Sequence, residues 1–310
     1  MSTETSGPEI TSRPSGRAAR ERMYRYILLL CAALSILVTV SIVVLLVWNS
    51  ISFFTSVGLV DYLFNPEFLI SRGEFGLLPL LSGTLIITVV SAVIALPTGV
   101  AAAIYLSEYA SERMRSILKP GLEILAGIPT VVYGIFALVY VTPLLQAVGL
   151  PVNTFNTLSA SIMVGIMIIP MVSSLSEDAM SAVPDSLRQA GYGMGATKFE
   201  VTTGVVVPAA ASGIFSSFIL ALSRAIGETM IVVIAAGSRA RLLNFAEPLQ
   251  NFWQGYQPMT AAMVQINGAE SVSQLGFSSM YAIGLTLFVV TFLLNLASNR
   301  IAARYREEYE

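Results

Sequence analysis

Arg224 and Glu228 are the two charges that the otherwise apolar stretch Ala209 to Ala236 would carry into a membrane. Four residues apart on a helix, they share one face and can pair with each other. A guanidinium presents five N–H donors in a planar fork that fits the oxygens of a tetrahedral oxyanion, and a neighbouring carboxylate can hold that fork when no anion is bound. Placing a charge at mid-bilayer costs about 2.5–3.5 kcal/mol on insertion scales, so such residues turn toward a bundle interior or a water-filled path. Two roles fit this pattern: an anion path lined by Arg224 and Glu228, or an ion pair that locks helices together. Ser223 and Thr229 flank the pair as hydroxyl donors. Thr130, Ser173 and Ser174 are further hydroxyls, each able to bond its own helix backbone instead. Glu123, four residues after Lys119, reads as a helix-start charge at the aqueous edge.

Other chemistry is excluded by what is missing. The chain has no histidine and one cysteine, Cys31, so it lacks the commonest general base and metal ligand, a disulfide within the chain and a cysteine metal site. An intramembrane enzyme would need a nucleophile beside a base, and no such pair is recognisable. No G-x-x-x-x-G-K-[ST] occurs, so the chain does not cradle ATP by the P-loop mechanism. Energy for transport must come from another subunit or from an ion gradient.

The elements that position these residues are membrane helices. Hydrophobic residues make up 55% of the chain and charged ones 12%, with a mean hydropathy of +0.74, against about 25% charged in an ordinary soluble domain. Apolar stretches predict an all-α integral membrane fold with six spans: Ile27 to Trp48, Leu78 to Leu106, Gly121 to Leu145, Ser159 to Leu175, Ala209 to Ala236 and Phe277 to Ser298. Pro97, Pro129 and Pro170 lie in or near three of them and predict kinks. Residues 1–25 are too polar to pack a core and are expected to form a disordered cytosolic tail. The first span and an external segment with aromatic anchors occupy 26–76, a core membrane domain 77–300 and a short C-terminal tail 301–310.

Orientation follows from basic residues, which accumulate on the cytoplasmic side. With the amino terminus inside, thirteen fall in inner segments (Arg13, Arg17, Arg20, Arg22, Arg25, Arg113, Arg115, Lys119, Arg188, Lys198, Arg300, Arg304, Arg306) and three in outer ones (Arg72, Arg239, Arg241). Both termini are therefore expected in the cytosol of a multi-pass protein surrounded by membrane lipid. No nucleic-acid partner is expected.

The long polar connection after Pro184 lies on the same inner side. Asp185 and Ser186 start a helix, Leu187, Ala190, Gly191 and Met194 form a stripe, and Gly195 suits a C-terminal stop. Thr197 and Glu200 have the spacing of a capping box, so a second short helix begins there. Connections in bundles usually take about 2–8 residues. A folded loop of this length is expected to dock a partner.

The run Gln189, Ala190, Gly191, Gly195, Val205, Val207, Pro208 resembles the EAA loop of ABC importer permeases, with Gln189 for the usual glutamate and Gly191 for the second alanine. Ser223 to Met230 resembles the R-A-x-G-E-T-M signature of the PstC-type permease subunits of bacterial phosphate importers. The similarity runs from about Phe75 to Arg300 and includes Glu108-Tyr109 and Gly127 to Gly134. It implies a type I importer permease fold (MetI-like) in the bacterial inner membrane, with Gln189, Ala190, Gly191, Gly195 and Pro208 coupling to an ATPase. It also implies a PstA-type sister subunit, a PstB-type ATPase dimer that binds ATP and Mg, and a PstS-type binding protein; this chain itself holds no cofactor. An arginine attracts every oxyanion, so molybdate, sulfate and phosphonate stay open beside phosphate. A proton-coupled secondary carrier using Glu228 is the further alternative.

Overall fold

The computed structural model describes residues 15–269 and 273–307. Helix α1 (Ser15–Val57) contains a stretch of mean hydropathy 3.0. Its residues up to Trp48 belong to one unit, and the chain from Asn49 onward forms a second. The start at Ser15 differs from the expected tail of 25 residues: Ala18, Ala19, Arg20, Glu21 and Arg22 are good helix formers, and they extend a helix already nucleated in the span. Residues 1–14 and 308–310 lie outside the described residues.

The second unit opens with the last turns of α1, then α2 (Leu59–Phe64) and a hairpin of β1 (Phe68–Leu69) and β2 (Glu74–Phe75), antiparallel with Phe68 opposite Phe75. Phe53, Tyr62, Phe68 and Phe75 of this segment are interior groups where interfacial anchors were expected, whereas Phe64 stays exposed. Phe53, Tyr62 and Phe75 are buried and meet edge to face with centroids 5.5 Å apart. Burial pushes the Tyr62 hydroxyl up to about 12 against the opposing effect of its 2.9 Å hydrogen bond with Thr286.

Next come α3 (Leu78–Ile104), ending in a π turn at Tyr105–Tyr109, and α4 (Glu112–Gly127). Here the expected third span, Gly121 to Leu145, is corrected. Pro129 disfavours helical geometry at the residue before it, and Ile128 is extended. Residues 121–127 therefore finish the charged helix α4, and the span starts afresh as α5 (Thr130–Phe136), a π turn at Ala137–Val141 and α6 (Thr142–Ala147). Helix α7 (Thr157–Ser181) runs six residues past the expected Leu175. The loop expected on the inner side, called the inner loop below, carries α8 (Asp185–Gly193), α9 (Lys198–Val201), a π turn at Thr202–Val206 and α10 (Val207–Ala209).

Helix α11 (Ala211–Ile226) leaves the preceding stretch Lys198–Ala209 at 67°. The expected fifth span, Ala209 to Ala236, is broken again at Gly227–Thr229 before α12 (Met230–Ala235). Then follow α13 (Gln250–Trp253), α14 (Met259–Gly268) and α15 (Gln274–Glu307). Among the described residues, five stretches are long and apolar enough to cross a membrane, or six if the bent pair Lys198–Ala209 and Ala211–Ile226 counts as one span, against the six expected.

Small residues set the packing, as they do between membrane helices. A Cβ on Gly99 of α3 would lie 2.7 Å from Val172 of α7, and one on Gly213 of α11 only 2.4 Å from the Ala179 Cβ. Ser91 donates across to the Ser161 carbonyl at 2.9 Å, and Ser176 meets Ser217 at 2.9 Å. A second apolar cluster of Ala103, Met180, Val183, Val201, Val206 and Ile214 seats the inner loop on the ends of α3, α7 and α11.

Candidate functional site

The loop between α7 and α11 is built from local signals. Gly195 has φ +84°, its N–H bonds the Tyr192 carbonyl at 3.0 Å, and the Ala196 N–H bonds the Gly191 carbonyl at 3.2 Å. These are the two closures of a Schellman motif, with glycine in the left-handed position. The capping box forms as expected: the Thr197 N–H donates to Glu200 Oε2 at 2.7 Å and the Glu200 N–H to Thr197 Oγ1 at 3.4 Å. The backbone and side-chain hydrogen bonds from Thr197 hold the Glu200 carboxyl below its ordinary range.

The expected stripe divides. Gly191 is buried, with room for a Cβ only 2.9 Å from Val201 Cγ2, which accounts for glycine at this position of the pattern. Leu187, Tyr192, Met194 (85% exposed) and Phe199 face outward, as do Gln189 and Ala190. Pro208 starts α10, just before the 67° bend.

One arginine fastens this loop to the spans. Arg188 Nη1 donates to the Val183 carbonyl at 2.5 Å, while Nη2 donates to the Met180 carbonyl at 2.8 Å and to Glu108 Oε1 at 3.0 Å. Beside it the Lys198 ammonium lies 4.9 Å from the centre of the Tyr109 ring. The Glu108-Tyr109 pair at the end of α3 is thus the receptor for both inner-loop cations.

Arg224 and Glu228 do not pair. Helix α11 ends at Ile226, so the i,i+4 geometry is absent, and no ion pair joins the two among the described residues. Glu228 is buried, and its Oε1 accepts the N–H groups of Met230 at 2.9 Å and Ile231 at 3.2 Å, which caps α12. Its carbonyl accepts from Thr260 Oγ1 at 2.8 Å, 32 residues away. Thr229 Oγ1 bonds the Gly227 carbonyl at 3.2 Å, and Ser223 Oγ reaches Asn295 at 3.4 Å.

Arg224 instead lines a cavity of about 440 Å³ together with Lys119, Glu123, Pro170, Ser174 and Glu177. Glu177 is 3% exposed; Lys119 Nζ lies 2.9 Å and Arg115 Nε 3.8 Å from its Oε1. Glu123 therefore belongs to this cavity and does not merely start a helix. Ser174 lines it too, whereas Ser173 is buried without a hydrogen-bond partner and Thr130 begins α5 elsewhere. Lys119 and Arg224 line the cavity opposite Glu123 and Glu177, two cations to two carboxylates, and Lys119 is already paired with Glu177. Arg224 makes no ion pair among the described residues, so its guanidinium is the lining group left able to offer a fork to an oxyanion. Glu177 and the receptor role of Glu108 escaped the sequence reading. The available signal was a glutamate just past an apolar span with no cation one helical turn away.

Residues 95–307 match the family of binding-protein-dependent transport system inner membrane components. The chain belongs to this family. It is 32% identical over 268 residues to the phosphate transport system permease protein PstC of Mesorhizobium japonicum, covering 80% of this chain and 78% of that one. The probable ABC transporter permease protein YqgH of Bacillus subtilis is 30% identical, with 95% and 94% covered. Among solved structures, the fold is similar to a chain of a bacterial alginate ABC transporter (TM-score 0.65, 15% identity, 94% of this chain and 98% of that one). It is also similar to a chain of the MetNI methionine transporter (TM-score 0.54, 18% identity, 74% and 94% covered). Both share the fold of this multi-pass membrane chain.

Proposed function

We propose that this chain is the transmembrane permease subunit of an ATP-driven phosphate importer, working with a PstA-type permease subunit, a PstB-type ATPase dimer and a PstS-type binding protein. ATP and Mg belong to the ATPase partner. The termini and the inner loop lie in the cytosol, as the basic-residue count implies.

The observation that carries this reading is the loop itself: a doubly capped helix pair that exposes Leu187, Tyr192, Met194 and Phe199 while Arg188 ties it to α3 and α7. An ATPase surface that receives those side chains would move the loop as a body. Gly191 supplies a small-residue seat for Val201 within it, Gln189 and Ala190 lie on its exposed face for the ATPase, Gly195 gives its turn, and Pro208 the stiff joint to α11. Along the path, Arg224 offers its fork to a phosphate in the cavity, beside Lys119 in its ion pair with Glu177. Ser223 and Thr229 flank that fork. Glu228 serves the path by fixing the break between α11 and α12. With its carboxylate committed to two backbone donors, Glu228 has no exchangeable pairing with Arg224 on which a proton-coupled carrier would depend.

The test is phosphate uptake by the reassembled complex in vesicles, normalised to complex in the membrane. Arg224→Gln is expected to abolish ATP-driven uptake and leave assembly intact. The double variant with Glu228→Gln should likewise assemble and fail to transport. Uptake near the unmodified level in either would remove Arg224 from the path. Uptake by the chain alone under a pH gradient would replace this reading with the carrier.

A further inference from the structure

A second cavity, of about 500 Å³, lies at the other end of the molecule. Its residues Asn153, Thr154 and Phe155 precede the start of α7, and the inner loop follows the end of that 25-residue helix, so the two regions are about 37 Å apart along it. Ser238, Arg239 and Arg241 form the facing wall. No acidic residue lines the cavity, and neither arginine makes an ion pair among the described residues.

This wall is built and not merely exposed. A Cβ on Gly255 would lie 2.4 Å from the Ala236 carbonyl oxygen and 3.1 Å from that of Phe155, so only glycine lets the two loops close on each other. Backbone bonds stitch them: the Asn153 N–H to the Trp253 carbonyl, 2.9 Å; the Asn156 N–H to that of Ala235, 3.0 Å; the Gln257 N–H to that of Arg239, 3.0 Å. Gly237, at φ +90°, turns the chain out of the span end into the wall. Arg241 donates to Gln254 and lies with its guanidinium carbon 5.8 Å from the centre of the buried Tyr256 ring, which sets its direction in advance.

We propose that Arg239 and Arg241, with the hydroxyls of Thr154 and Ser238, form an outer receiving site for a tetrahedral oxyanion, which on the permease reading given above is phosphate before it enters the path. Two uncompensated guanidinium groups bordered by hydroxyl donors provide the charge and the fork geometry such an anion needs.

The site is tested on the complete complex in membrane vesicles by phenylglyoxal modification, read residue by residue by mass spectrometry with inorganic phosphate varied. Exposed Arg72, expected on the same side by the sequence, is the internal control. Phosphate is expected to slow modification of Arg239 and Arg241 saturably and to leave Arg72 unchanged. In Arg241→Gln, the phosphate needed to protect Arg239 should rise about tenfold, the weight of one charge-assisted contact. Arg224→Gln should leave the outer protection intact. Equal modification with and without phosphate, in a complex that still imports phosphate, overturns the outer site and leaves the permease reading standing. Protection in a complex that imports no phosphate supports the site and removes the permease reading. Protection that needs the binding protein and is indifferent to phosphate overturns the proposal in favour of a protein-docking face.

Discussion

Arg188→Met isolates what holds the inner loop, because methionine keeps an unbranched apolar stem and removes the whole fork. The wild-type side chain is 15% exposed and that of its partner Glu108 6% exposed, so this is a largely buried pair. Removing one partner of such a pair costs about 3–5 kcal/mol, since the other charge stays behind without compensation. Glu108 would keep only the Ser107 hydroxyl at 3.0 Å, and the Met180 and Val183 carbonyls would each lose the donor that Arg188 supplies. The contact with Asp185, whose side chain is 85% exposed, adds almost nothing. About 3 kcal/mol is therefore a fair lower figure for the loss in seating α8, or roughly a hundredfold in the seated population. A helix of nine residues does not persist unaided.

The assay is amide hydrogen exchange over residues 187–193, together with the ratio of ATPase to permease in the purified complex. Exchange is expected to accelerate about a hundredfold, in line with the loss of seating, and ATPase recovery to fall. Adding Glu108→Gln should restore part of the protection by removing the stranded charge. Unchanged exchange and full ATPase recovery in Arg188→Met would refute the argument that this arginine seats the loop.

Three other expectations bear on the same elements. Gly195→Leu places a side chain at φ +84°, where the left-handed conformation costs about 1–2 kcal/mol, although no neighbour obstructs it; ATPase recovery should fall, and Gly195→Asn should recover it, so equal recovery in both variants would refute the backbone argument. Glu228→Ala removes the cap of α12 and should lower stability by about 0.5–2 kcal/mol in a thermal melt of the complex, whereas Glu228→Gln, which keeps an acceptor oxygen, should melt close to wild type and still transport; loss of transport in a stable Glu228→Gln complex would return this residue to the path. The Glu200 carboxyl is depressed in the folded loop, so the capping box contributes stability above the ordinary glutamate value of 4.5 and loses it as pH falls through the lower folded value. Protection of the Thr197 amide, taken relative to the intrinsic exchange rate at each pH, should fall only below pH 4.5, and a fall already at pH 6 would contradict the assignment.

What could be read from the sequence was what short-range chemistry decides. The capping box of Thr197 and Glu200 and the left-handed stop at Gly195 need only their neighbours, and both formed where the pattern placed them. The break at Gly227–Thr229 could not be read this way. Arg224 to Thr229 has helical spacing and an apolar surround, and what ends the helix is the Glu228 carboxylate turned onto the next segment, with Thr260 holding the carbonyl from far along the chain. The aromatic segment from Asn49 to Leu77 failed for a related reason. Phe53, Tyr62 and Phe75 have the composition of interfacial anchors, and only the arrival of Met259, Ile266 and Ile283 makes them a core. In the third span Pro129 was visible, but the start of a new helix after it depended on assigning Glu112 to Gly127 to a charged helix of its own.

The inner loop and the Arg224 cavity share their supports, and this makes a coupling between them physically plain. Helix α7 contributes the Met180 carbonyl that Arg188 grips and, one helical turn earlier, the Glu177 carboxylate that Lys119 grips. Helix α11 leaves the loop at the 67° bend and ends two residues beyond Arg224. Between the two helices, Gly213 sits against Ala179 with no room for a methyl group, and Ser176 meets Ser217, so neither can slide without breaking tight contacts. Close-packed contacts of this kind transmit displacement instead of absorbing it. A force on α8 therefore reaches Glu177 through the α7 backbone and Arg224 through α11, and the cations around the cavity shift relative to its carboxylates. The non-helical residues Gly227 to Thr229 end that rigid run, which is where a capped break belongs if α11 is to move while α12 stays packed against α5 and α7.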